Sequence, residues 1–279
     1  MITSSGNARV KQVVQWQTKA KERRKDKVFL AEGLKMFEEA PENAILEVYL
    51  SQETEQKNKV QTGSKIWEKL QRTGYETVSG EVFAKMSDTR TPQGILTVLK
   101  QPEYRLEELL KVKKPLFVVL ENLQDPGNLG TILRTGEGAG ITGVIMNNNT
   151  VDIFNPKTIR ATMGSIYRVP FLYVSNWEET LEKLHMQGIH IYAAHLKGKT
   201  FYDSFSFREP SAFLIGNEGN GLTKETADRA ENYLKIPMEG QVESLNAAVA
   251  AALLMYEAHR QRSIGDGGMG RREVRSEIS

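Results

Sequence analysis

The chain contains no cysteine. Disulfides, iron–sulfur clusters, thiolate zinc sites and every mechanism with a cysteine nucleophile are therefore excluded. No stretch approaches the ~20 consecutive apolar residues of a membrane-spanning helix. The start, MITSSGNARVKQ, also lacks the apolar core of a secretion signal, so a cytoplasmic location with no membrane partner is expected. Histidine is scarce, with His185, His190, His195 and His259 the full set. None sits in a metal-ligand spacing, so no metal is expected and no role is assigned to them. A large excess of either charge is missing too: 37 lysines and arginines face 35 acidic residues, a net of +2. The whole chain is too near neutral to act as a polyelectrolyte toward nucleic acid.

What is present describes a soluble α/β protein. Its 279 residues, 39% hydrophobic and 26% charged, are enough for two ordinary domains. Charge is concentrated at one end, where eight basic residues up to Lys27 face only Glu22 and Asp26, a local charge of +6. Residues 1–101 read as a small mixed domain. Asn7 to Lys27 has helix formers, VFLAEG begins a strand, and Leu34 to Ala40 is helical. ILEVYLS and YETVSG read as strands around the helical SKIWEKLQRTG, and GILTVLK closes the segment as another strand. Residues 102–114, charged and followed by Pro115, have the composition of a linker.

From Pro115 the apolar runs LFVVL, GVIM, VPFLYV, IHIYAA, AFLIG and YLKIP alternate with segments of helical spacing. That pattern predicts a parallel sheet covered on both faces. The last helix shows apolar Leu245, Ala248, Val249, Ala252, Leu253 and Tyr256 at i, i+3, i+4, i+7, i+8 and i+11, which predicts one apolar stripe. The domain is expected to end at residue 262, followed by a disordered glycine- and charge-rich tail, 263–279.

Three glycine- and polar-rich segments follow or bracket these strands, where open α/β sheets place their ligands. In ENLQDPGNLGTILRTGEGAG, Asp125-Pro126-Gly127 is a turn signature and Asn128 a candidate cap for a helix through Arg134; a plain turn, cap and solvated arginine is the bland alternative. Gly136, Gly138 and Gly140 follow that helix rather than opening one, so they read as a helix stop and not as a dinucleotide fingerprint. In LIGNEGNGL, Gly216, Gly219 and Gly221 permit close backbone approach to a ligand, and Glu218 puts a carboxylate at the sheet edge. In KIPMEGQVESLNAAVA, Ser244 is either a helix cap or, with Asn246 and the free amides, part of a cradle for a polar ligand.

Taken in order, Asn128-x₅-Arg134, IGNEGNGL and IPMEGQVESLNAAVA resemble the three motifs of the SpoU (TrmH-like) family of RNA ribose 2′-O-methyltransferases. The likeness spans 115–262. More weakly, NARVKQ, FLAEG and FAKMSDTRTPQGILTV resemble that family's RNA substrate-binding domain, of L30e/L7Ae-like fold. The resemblance implies a trefoil-knotted (SPOUT) parallel sheet in the C-terminal domain and S-adenosylmethionine as cofactor, held at Gly216, Ile236 and Leu245. It also implies methyl transfer to a ribose 2′-hydroxyl of structured RNA, ribosomal RNA before transfer RNA, by a homodimer whose site borrows residues across its interface. Arg134, Asn128, Glu218, Ser244 and Asn246 match the polar motif positions. Arg134 would act at the hydroxyl, and because a guanidinium keeps its protons, orienting phosphate or stabilising alkoxide is the easier physics than acting as a base. Arg9, Lys11, Arg23 and Arg24 are candidate phosphate contacts, with a solvated helix face as the alternative. A non-catalytic RNA-binding protein of the same fold and another α/β nucleotide enzyme remain as competing readings; the second lacks a P-loop lysine and a strand-first GxGxxG.

Overall fold

The computed structural model describes residues 1–60, 64–241 and 244–265. Two sheets organise the chain. The first has four strands in the order β1-β4-β2-β3: β1 (Val28–Glu32), β2 (Ile45–Ser51), β3 (Glu76–Val78) and β4 (Ile95–Lys100). β4 pairs antiparallel with β1 and β2, while β2 and β3 run parallel. Six helices surround it: α1 (Ala8–Thr18), α2 (Ala20–Asp26), α3 (Leu34–Glu39), α4 (Gln52–Val60), α5 (Lys65–Thr73) and α6 (Gly80–Met86). The basic N-terminal stretch is thus two helices rather than one, because Lys19 adopts an extended conformation that caps α1 and starts α2. The expected linker carries a one-turn helix, α7 (Leu106–Leu109), whose Leu106 and Leu109 pack on the second domain.

The second sheet has seven strands, all parallel, in the order β7-β6-β5-β10-β8-β11-β9. They are β5 (Leu116–Leu120), β6 (Gly143–Asn147), β7 (Phe171–Val174), β8 (His190–Ala194), β9 (Thr200–Phe201), β10 (Ser211–Ile215) and β11 (Asn232–Lys235). The helices are α8 (Pro126–Ala139), α9 (Pro156–Thr162), α10 (Trp177–Met186), α11 (Lys224–Ala227) and α12 (Ala247–Gly265). Every residue of β5 and β10 is buried, as two-sided cover of near-continuous apolar strands requires. The chain runs β5, β6, β7 in one direction and returns on the far side of β10, so the order reverses between β5 and β10. Ligands collect outside the carboxyl ends of strands at such a switch point.

Gly140 ends α8 in the left-handed conformation (φ +74°), which bears out the helix stop at that glycine, whereas Gly136 and Gly138 lie inside the helix rather than after it. The stripe expected on α12 is turned around. Its buried face is Ala247, Ala248, Ala251, Leu254, Met255 and Ala258, while Val249, Leu253 and Tyr256 are 37–49% exposed. The small residues let α12 pack closely on α8, where Met255 lies against Gly136, and the larger side chains are left outward. α12 continues through Gly265, past the expected boundary at 262; the rest of the expected tail, 266–279, lies outside the described residues. No helix among the described residues is long and apolar enough to cross a membrane.

One core spans both domains, with Phe29, Ala31, Met36 and Leu99 packed among second-domain residues such as Phe154 and Ile166. Three ion pairs join the same faces: Arg23–Asp152 at 2.6 Å, Arg160–Asp88 at 2.7 Å and Arg168–Glu39 at 2.9 Å.

Candidate functional site

The carboxyl ends of β8, β10 and β11 open on a cavity of about 390 Å³, within the size range of small-molecule sites. Its walls include Gly216 to Leu222 after β10, Ile236 and Met238 after β11, Ser244, Leu245 and Ala247 at the start of α12, and Ala194 to Lys197 after β8. Gly216, Ile236 and Leu245, the three expected cofactor contacts, therefore share one pocket. Gly216 is fixed by close approach: a Cβ there would lie 2.1 Å from the Gly221 carbon and 2.2 Å from the Leu222 nitrogen. A side chain at 216 would not simply fill the slot; it would force open the loop that Asn217 and Gly221 close by reciprocal backbone hydrogen bonds of 3.0 and 2.9 Å.

A polar relay ties the three segments together beside this cavity. Asn246 donates from Nδ2 to Asn128 Oδ1 at 2.9 Å, and Asn128 Nδ2 donates to Glu218 Oε1 at 3.0 Å. The Glu218 carboxylate also accepts the backbone N–H of Gln124 (3.1 Å) and of Asp125 (3.0 Å), so it pins the glycine loop to the entry of α8. Burial pushes the Glu218 pKa up, but the hydrogen bonds from Asn128, Asp125, Gln124 and its own amide outweigh this and hold it below the ordinary value. Glu218 is accordingly an ionised acceptor at neutral pH and a weak base.

Local capping differs from the sequence expectation in two places. Asp125, not Asn128, caps α8: its Oδ1 accepts the Asn128 amide at 2.8 Å, because Pro126 fixes the first helical position. The Asn128 side chain is thereby free for the relay. Asn246, not Ser244, caps α12, its Oδ1 accepting the amides of Ala248 (2.9 Å) and Val249 (3.3 Å). Ser244 lines the cavity.

Arg134 stands apart. It is exposed on α8 and makes no hydrogen bond or ion pair among the described residues. Six residues along a helix place it about 9 Å further along the axis than Asn128 and off its face. Arg134 shares the outward face with Thr131 and Gly138. Thr131 borders a shallow groove with Val249, Leu253 and Tyr256, and a Cβ at Gly138 would lie 2.9 Å from the Tyr256 hydroxyl.

Among the expected RNA contacts, Lys11 and Arg24 are exposed, and Arg9 is exposed with a 3.6 Å ion pair to Glu76. Arg23 is a correction. It is 3% exposed, donates to the Trp16 and Gln17 carbonyls, and pairs with Asp152, so its charge is spent on the domain contact.

Several residues were missed by sequence reasoning. Glu121 is buried at the end of β5 and accepts from the Thr223 amide and the hydroxyls of Thr223 and Thr226, bracing the far end of the glycine loop. Asn217 donates to the Asn122 carbonyl and accepts the amides of Gly219 and Asn220, an Asx turn that its place in GNEGN could have flagged. His195 and Lys197 follow strand β8 at the same sheet edge and line the cavity; the strand-end rule applied to every strand would have found them.

Comparison with known proteins gives a consistent set of likenesses. Residues 115–256 match the model of the SpoU rRNA Methylase family, and residues 7–97 match the MRM3-like substrate binding domain. The chain is 34% identical over 257 residues to the 23S rRNA (guanosine(2553)-2′-O)-methyltransferase RlmP of Bacillus subtilis, covering 91% of this chain and 97% of that one. The AdoMet-bound rRNA methyltransferase from Sinorhizobium meliloti superposes with a TM-score of 0.81 at 30% identity, over 93% of this chain and 97% of that one. The SpoU methyltransferase AviRb from Streptomyces viridochromogenes, solved with AdoMet, gives 0.80 at 25% identity over 92% and 98%.

Proposed function

The chain belongs to the SpoU rRNA methylase family, and on that footing we propose that it transfers the methyl group of S-adenosylmethionine to a ribose 2′-hydroxyl of structured RNA, ribosomal RNA in particular. The observation that carries the reading is the hydrogen-bonded convergence of Asn128, Glu218 and Asn246, from three separate segments, beside the cavity that Glu218 lines.

The residues present fit the cofactor. An apolar slot of Ile236, Met238 and Leu245 faces a tight glycine turn and a helix start, which together offer packing for an adenine and backbone groups for its edge. When bound, S-adenosylmethionine supplies a methyl group activated by its sulfonium. The chain's own residues have to orient the ribose and manage charge on its oxygen. Asn128 and Asn246 are hydrogen-bonded to each other and anchored by Glu218, so they form a positioning frame beside the cavity. Ser244 offers a hydroxyl on the cavity wall. Arg134 serves as the electrostatic partner of a developing alkoxide or an adjacent phosphate.

Arg134 lies beside the exposed apolar face of α12 rather than on the rim of its own cavity, which supports a homodimer formed through Val249, Leu253 and Tyr256. In such a dimer Arg134 would complete the partner's site. The seven-stranded parallel sheet with α12 packed on α8 supports the trefoil knot of the family fold. We assign residues 1–101 to RNA binding, 102–114 to the connection and 115–262 to methyl transfer, in a cytoplasmic enzyme. Arg24, Lys11 and Arg9 are exposed on α1 and α2 and offer phosphate contacts for the RNA.

Subunit complementation tests this reading. Mixed dimers of Arg134→Ala and Gly216→Val chains are expected to recover methyl transfer that neither variant shows alone. Unimpaired transfer by pure Arg134→Ala protein would overturn the role of Arg134, and the absence of any recovery would overturn the shared site.

A further inference from the structure

His195 lines the cavity at the end of β8, the strand next to β10 and its glycine loop, in a segment outside the three motif stretches. Its backbone is fixed: the His195 amide donates to the Leu234 carbonyl at 3.0 Å, and the Gly198 amide donates to the His195 carbonyl at 2.9 Å. The ring is fixed as well. It stacks on Tyr233 with centroids 4.9 Å apart and planes inclined by 26°, and its Nδ1 accepts the Lys197 amide at 3.0 Å. An imidazole whose Nδ1 is an acceptor carries its single proton on Nε2 when neutral. The wall therefore presents one preorganised, uncharged N–H donor to a ligand that will bring a positive sulfonium.

Resting on the methyl-transfer reading above, we propose that His195 is a cofactor-binding residue that donates a hydrogen bond as neutral imidazole, and that its protonation selects against the sulfonium form of the cofactor. Among the described residues, the charged and titratable groups around the ring are Lys197 of its own loop, Asp228 after α11 and Tyr233 of β11, and Lys235 and Glu218 line the same cavity. Burial, then Lys197, lowers the His195 pKa, against an opposing pull from Asp228, so the ring is neutral at pH 7 and gains its proton only on acidification. Glu218 and Asp228 are both held below their ordinary carboxylate range and stay ionised over the same interval.

Binding is measured by calorimetry on the full chain, with S-adenosylmethionine and with S-adenosylhomocysteine, its uncharged thioether counterpart, at pH 7.5 and pH 5.0. The groups common to both ligands cancel in the ratio of their affinities. For the natural protein, acidification is expected to weaken S-adenosylmethionine about tenfold more than S-adenosylhomocysteine, because a second cation then shares a low-dielectric cavity. His195→Phe keeps the stacking on Tyr233 and removes the donor, and is expected to weaken both ligands about three- to tenfold at pH 7.5. His195→Gln restores an uncharged donor, so it is expected to bind near the natural level at pH 7.5 and to show no acid-dependent change in the ratio. An unchanged affinity in His195→Phe, or a ratio that does not move with pH in the natural protein, would overturn the role of His195 while leaving the methyl-transfer reading intact. Failure of the natural protein to bind either ligand would instead overturn that reading, and this proposal with it.

Discussion

The ion pair of Arg23 with Asp152, which joins the two domains, can be weighed by a double-variant cycle. The basic run suggests a phosphate contact; the fold buries the guanidinium against Asp152 of the other domain at 2.6 Å. Removing one member of a buried pair costs roughly 3–5 kcal/mol, because the remaining charge is stranded. Here the cost is smaller. Arg23 keeps the Trp16 and Gln17 carbonyls as acceptors, and its Nε already lacks a partner, so the geometry is short of ideal. Asp152→Asn, whose Oδ1 can still accept the Phe154 amide, is expected to destabilise by about 2–3 kcal/mol. Arg23→Met leaves a carboxylate that is 18% exposed and can hydrate, and is expected to cost about 1–2 kcal/mol. The double variant should cost at least ~1 kcal/mol less than the sum of the two. Urea unfolding followed by circular dichroism gives all three values. Arg24→Ala, one residue along and exposed, should change stability by less than about 0.5 kcal/mol while weakening RNA binding and flattening its salt dependence. Arg23→Met that kept full stability but lost RNA affinity as Arg24→Ala does would refute this assignment.

Three further outcomes follow from the geometry. Gly216→Val should abolish binding of S-adenosylmethionine in calorimetry while leaving the secondary structure intact, since the added carbons collide with the Gly221–Leu222 backbone; binding within threefold of the natural protein would contradict the tight-turn account. Lys69→Met should destabilise by about 2–3 kcal/mol in urea unfolding, because the buried ammonium is hydrogen-bonded to the Phe37, Glu38 and Ala40 carbonyls that end α3. The Glu218 carboxyl has a folded-state pKa below its unfolded value, so its contribution is complete above about pH 4.3 and disappears as pH falls through the lower folded value. Amide exchange at Gln124 and Asp125 should accelerate over that acid interval in the natural protein and already be fast at pH 6 in Glu218→Ala.

Much of this architecture could be read in advance, and the failures have physical reasons. ILEVYLS is β2 residue for residue, and LFVVL is β5, because buried strands are short apolar runs with sharp polar ends. Asn128, Glu218 and Asn246 of the three motif segments meet, since each segment leaves the carboxyl edge of one parallel sheet, whereas Arg134 of the first motif points away from them. The face of α12 was not legible: a helix apolar on nearly all sides has no unique stripe, and packing on α8 selected the alanines. The capping of α8 by Asp125 was signalled by Pro126 and overlooked. Burial of Arg23 had no local signal, because Asp152 lies 129 residues away in sequence.

The central claim is tested most directly by incubating the purified chain with S-adenosylmethionine and unmodified ribosomal RNA, then mapping methylated nucleotides by alkaline cleavage and mass spectrometry of nucleosides. A ribose without its 2′-hydroxyl resists alkaline cleavage on its 3′ side. The account predicts a discrete protected site carrying a 2′-O-methyl nucleoside, absent with Asn128→Ala or Gly216→Val. Methyl transfer to a base, or none to any RNA by a chain that binds the cofactor, would contradict it.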